Sequence, residues 1–149
     1  MSTPVQTENT HTAKKMNWYE VYILANHWRS DLDFYREDIR FLQQLIQKYL
    51  IWITKKENLD RVAGIRKKGH ELSLRAENLQ EAVKRHLSTV VDAIEGKKPV
   101  SIDDFISRHG QLEKEFADFV TDFRENRKEV FKVTEYIMDS EELQHILDS

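Results

Sequence analysis

From Asn17 to Glu57 the chain runs without Pro or Gly, with an apolar side chain at every third and fourth position. The stripe reads Trp18, Val21, Ala25, Trp28, Leu32, Tyr35, Ile39, Leu42, Ile46, Tyr49, Ile53, and no member is charged. Such an alternation of three and four is the a/d seam of a heptad. It predicts a long helix lying close to parallel or antiparallel to its neighbours. At about 1.5 Å per residue the helix would reach roughly 60 Å.

Two further seams follow. The second runs Val62, Ile65, Gly69, Leu72, Ala76, Leu79, Val83, His86, Val90, Ala93, and the third Ile102, Phe105, His109, Leu112, Phe116, Phe119, Phe123, Asn126, Val130, Val133, Ile137. The first break is expected within Thr54–Arg61, where Asn58 suits a cap and Thr54 with Glu57 has capping-box spacing. Gly96 and Pro99 end the second helix. Ser101 with Asp104 caps the third, Val100 and Phe105 have staple spacing, and Asp103 and Asp104 suit the positive end of its dipole. Ser140 to Leu147 reads as a short capped tail helix with Leu143, Ile146 and Leu147 on one face.

These elements predict an all-α fold, an elongated up-down-up antiparallel three-helix bundle of coiled-coil type with a short C-terminal tail helix. The expected division is a flexible leader at 1–16, a bundle at 17–139 with helices at 17–57, 59–95 and 101–139, and the tail at 140–149. In that topology, residue numbers at one level add to about 115 between the first two helices and about 197 between the last two. This register sets Gly69 opposite Ile46 and Tyr49, where a missing side chain would admit the ring. It sets Asn126 near Gln43 and Gln44 as a lone polar seam residue of the kind that fixes register. The tail is expected over the apolar run Tyr49–Ile53.

The first helix carries more apolar surface than its seam needs. Tyr22, Leu24, Phe34, Phe41, Leu45 and Trp52 lie outside the seam and form the candidate interaction surface. A helix touching only two neighbours does not need so broad a face. The expected function is therefore a non-enzymatic structural or protein-interaction module, with a protein partner or a second copy of the chain on helix 1.

Composition narrows the alternatives. The chain has 149 residues, 33% charged and 40% hydrophobic, which suits one amphipathic helical domain. A net charge of −3 does not favour nucleic acid or an anionic membrane. With no Cys, thiolate metal sites and cysteine nucleophiles are excluded. No signal-peptide core or membrane-length apolar run is present, so a cytoplasmic location is expected. No nucleophile elbow, glycine-rich phosphate loop or catalytic triad occurs.

Three chemical possibilities remain beside the interaction reading. His27, His86 and His109 fall near one level, and Asp31 and Glu113 each follow a histidine by four residues. This layer could hold Zn, Fe or Mn, though buried histidines bonded to neighbours are the commoner outcome. Lys55, Lys56, Arg61, Arg66, Lys67, Lys68 and Arg75 form a basic cluster that Glu125, Glu129 and Glu135 are expected to neutralise. Gaps at Gly69 and Ala76 among aromatics could admit a small molecule.

Overall fold

A computed structural model describes residues 16–141. The leader, apart from Met16, and the tail, apart from Ser140 and Glu141, lie outside the described residues. So do Leu143, Ile146 and Leu147. The described residues form a three-helix bundle with no strand: α1 at Trp18–Leu50, α2 at Lys56–Glu95 and α3 at Ile102–Ser140. No helix among them is long and apolar enough to cross a membrane.

The helix ends follow local chemistry at three places. Asn17 Oδ1 accepts from the amides of Tyr19 and Glu20 at 3.1 and 3.2 Å and caps α1. Gly96 ends α2 with a φ of 66°. There the Lys97 amide donates to the Asp92 carbonyl at 3.1 Å and the Gly96 amide to the Ala93 carbonyl at 3.3 Å. That pair of bonds is a Schellman motif, which needs the left-handed residue glycine supplies. Ser101 Oγ accepts from the Asp104 amide at 3.4 Å, as the capping spacing predicts.

The first break falls earlier than expected. α1 stops at Leu50, and Ile51–Lys55 form the turn instead of the last helical residues to Glu57. The Trp52 and Ile53 amides fold back three residues, onto Tyr49 and Leu50 carbonyls at 3.0 and 3.2 Å. Trp52 is thus on the turn and not on the helix. Asn58 is no cap either; it lies inside the first turn of α2 and is fully buried. At the other end α3 runs to Ser140.

The chain divides into two compact units, and every helix contributes to both. One takes the described parts of Met1–Leu32 and Leu79–Phe116, the other Asp33–Asn78 and the described parts of Ala117–Ser149. Every seam position of all three helices is buried or half-buried.

In the first unit Trp18 meets Phe105 edge-on at 4.8 Å, and Trp28 stacks on His109 at 5.0 Å and on Phe116 at 6.1 Å. Ala25, Leu32, Val83 and Val90 close the core around them. In the second unit Tyr35 packs edge-on against Phe119 and Phe123 at 5.7 and 5.0 Å. Ile39, Leu42, Ile46, Val62, Leu72 and Ile137 are buried along the same unit. The predicted level between α2 and α3 recurs at Arg75, which pairs with Asp122 at 2.6 Å, and at Arg61, whose guanidinium lies 4.6 Å from the centre of the Tyr136 ring.

Candidate functional site

Four features of the described residues bear chemistry: an exposed aromatic face on α1, a histidine pair, a carboxylate clasp and a cleft.

The aromatic face lies in the second unit. Phe34 and Phe41 are 68% and 54% exposed. They stand seven residues apart, two turns along one side of α1, with half-buried Leu45 one turn further on. Trp52, on the turn, and Ile51 beside it are also exposed. Tyr22 and Leu24, the remaining members of the expected surface, are exposed in the first unit together with Tyr19 and Ile23.

The histidine pair lies in the first unit. His86 Nε2 and His109 Nδ1 are 2.9 Å apart, and the His86 ring stacks on Phe105 at 4.4 Å. His86 is fully buried and its Nδ1 has no hydrogen-bond partner. An orphaned acceptor costs less than an orphaned N–H, so the geometry assigns the proton to His86 Nε2, donating to His109. Burial, then the neighbouring His109 and Arg108, lowers the His86 pKa to about 4. Burial lowers that of His109 too, against the pull of Glu113. Both rings are held neutral.

Of the expected metal layer, His27, Asp31 and Glu113 are exposed. The structure joins His86 to His109 directly through the ring nitrogens that face each other. No group of three or more His, Asp or Glu suited to a metal occurs among the described residues.

The clasp ties the end of α3 to the turn after α1. The Glu141 carboxylate accepts from the Thr54 amide at 3.2 Å, Thr54 Oγ1 at 2.7 Å, the Lys55 amide at 3.0 Å and Asn58 Nδ2 at 2.8 Å. Lys55 Nζ donates to the Ser140 carbonyl, and Asn58 Nδ2 also reaches Ser140 Oγ at 3.0 Å. These donors, Asn58 foremost, bring the Glu141 pKa down to about 2. Nearby, Tyr49 Oη donates to Met138 Sδ at 3.9 Å. The run at Tyr49–Ile53 therefore shares its end of the unit with the end of α3.

The cleft, about 640 Å³, lies in the second unit. Ile39, Leu42 and Ile46 of α1, Gly69 of α2 and Asn126 and Val130 of α3 line it, and all six are buried. Arg40, Gln43, Gln44, Arg66, Lys67 and His70 border it and are exposed. Gly69 does not face Tyr49: a Cβ placed there would meet Gln43 Cγ at 3.8 Å and Asn126 Oδ1 at 4.0 Å, ordinary contacts. Gln43 lies about one turn before Ile46 on α1. Asn126 lies near Gln43, and its Nδ2 has no hydrogen-bond partner. Ala76 is buried away from the cleft lining.

The basic cluster is divided. Arg75 pairs with Asp122, and Arg61 and Lys68 share a smaller cleft with Glu129. Arg66 and Lys67 border the larger cleft, where no carboxylate lies. In the linear sequence Gly69, Asn126 and the Arg66–Lys68 run stand apart. Their shared level, read from the α2–α3 register, was the signal that could have joined them.

No family model, characterised protein or solved structure matches this chain.

Proposed function

We propose that the chain is a non-enzymatic protein-interaction module, an up-down-up antiparallel three-helix bundle that self-associates through α1. One observation carries the reading: Phe34 and Phe41 stand exposed, two turns apart, on a helix whose seam is already filled. Single exposed aromatics are ordinary on protein surfaces, whereas two large rings and Leu45 along one side of a helix make a patch. A second copy suits this patch because an isologous two-fold interface uses the same surface twice. With α1 antiparallel to its counterpart, Phe34 of one copy faces Phe41 of the other. Arg40 and Glu37, exposed beside the rings, then supply a polar rim of both signs.

Sedimentation equilibrium on the full chain tests this. The expected result is a monomer–dimer equilibrium at micromolar concentration that Phe34→Glu with Phe41→Glu shifts to monomer. A wild-type chain that stays monomeric at several hundred micromolar overturns the reading.

A further inference from the structure

We propose that the cleft of the second unit is a binding site for a small amphipathic organic acid, a carboxylate with an aliphatic body. Apart from Arg40, which borders both, the site shares no residue with the Phe34–Phe41 patch, and it goes beyond the association reading.

Four observations converge there. The first is size: about 640 Å³ lies within the range of pockets that take small ligands, roughly 300–1,000 Å³. The second is an apolar floor of Ile39, Leu42, Ile46 and Val130, suited to an aliphatic chain. The third is a buried donor without a partner. Asn126 is only 3% exposed, lines the cleft, and its Nδ2 makes no hydrogen bond. A buried amide N–H left unpaired is costly, and an acceptor oxygen delivered into the cleft removes that cost. Gly69 leaves room beside this side chain: even a Cβ there would stand 4.0 Å from Asn126 Oδ1, the other end of the same amide group.

The fourth is charge. Arg40, Arg66 and Lys67 border the cleft and no Asp or Glu lines it, in a chain whose net charge is −3. A cation-lined recess with low-dielectric walls concentrates anions. The floor requires an apolar body, the rim an anionic head, and the Asn126 donor an acceptor oxygen. A simple inorganic anion satisfies the rim alone, and a neutral hydrocarbon the floor alone. An aliphatic carboxylate satisfies all three.

The test is titration calorimetry of the full chain with decanoate below its micelle concentration, with decylamine and 1-decanol as controls. The expected outcome is one site per chain, with both controls at least about tenfold weaker, a difference of about 1.4 kcal/mol. Arg66→Glu with Lys67→Glu should weaken decanoate by a similar factor. Both residues are exposed, so the pair leaves the core intact. Gly69→Leu, which grows a side chain into the cleft, should also weaken it; if that variant does not fold, the charge-reversed pair decides. Amide NMR shifts on adding decanoate should concentrate at 39–47, 63–70 and 126–130. No binding at millimolar decanoate, equal binding of decylamine, indifference to the charge reversal, or shifts centred on Phe34 and Phe41 would each overturn the proposal.

Discussion

Asn58 Nδ2 of α2 donates to the Glu141 carboxylate at 2.8 Å, joining the first turn of one helix to the residue that follows another. The same carboxylate satisfies the amides of Thr54 and Lys55, which belong to the turn between α1 and α2. A single side chain from the far end of the sequence thus supplies the cap that the turn lacks. Glu141→Gln leaves the shape but withdraws the charge and one acceptor. At pH 7 its melting temperature should fall below that of wild type, and by more than the exposed control Glu135→Gln lowers it. The acid dependence should change as well. The folded-state pKa is depressed from 4.5 to about 2, so the clasp's contribution is present above pH 4.5 and lost as pH falls towards 2. Melting curves across that window should flatten in the variant, and equal slopes would show that the clasp contributes nothing.

The His86–His109 pair titrates in a higher window. His86 has an ordinary value of 6.5 and a folded value of about 4, so between these the unfolded chain binds more protons. Stability should therefore decline as pH drops from 6.5 to 4 and level off below, with the neutral pair fully favourable above 6.5. His86→Leu fills the site against Phe105 without a titrating group. The urea midpoint of this variant should change less between pH 7 and pH 4.5 than that of wild type. A wild-type midpoint that is already flat over this range contradicts the assignment of a neutral buried pair.

The three seams were legible because a repeat of three and four writes the buried side of a helix directly into the chain. Trp28, Ala76 and Phe123 needed no tertiary information to be placed inside. The α1–α2 turn was not legible, since Leu50 is followed by no Gly or Pro and the turn is held by Glu141, almost ninety residues away. Asn58 misled for the same reason: its local sequence suits a cap, while its actual partners are at the end of α3. Ile53 is instructive in another way. It continues the seam in number and is nearly buried, yet it lies beyond the helix, turned inward by the bend. For the cleft, Gly69 and Asn126 stood out as exceptions within their seams, but which exposed cations bordered them depended on the packing of side chains from three helices.

Gly69→Ala separates a steric from a propensity effect. A Cβ there meets Gln43 and Asn126 at ordinary contact distance, with nothing closer to displace. Helix propensity then acts alone and should raise stability by up to about 1 kcal/mol, measured as a higher urea midpoint at unchanged slope. A loss of stability would mean that the glycine is held for room after all.

Phe119 and Phe34 give opposite expectations for the same substitution. Phe119 is fully buried, with Tyr35 and Phe123 against its ring and the Arg75 guanidinium 5.8 Å from its centre. Phe119→Ala removes that burial and leaves a cavity, at a cost of about 3–5 kcal/mol. Phe34 projects into solvent on α1, so Phe34→Ala should change the folding free energy of the dilute monomer by no more than about 0.5 kcal/mol. Its effect should appear instead as weaker association at high concentration. Urea unfolding at low micromolar protein, paired with sedimentation at high micromolar protein, measures the two quantities separately. If Phe34→Ala destabilises the dilute monomer as Phe119→Ala does, the ring belongs to the core and not to an interface. If it changes neither quantity, the α1 face is inert and association must use another surface.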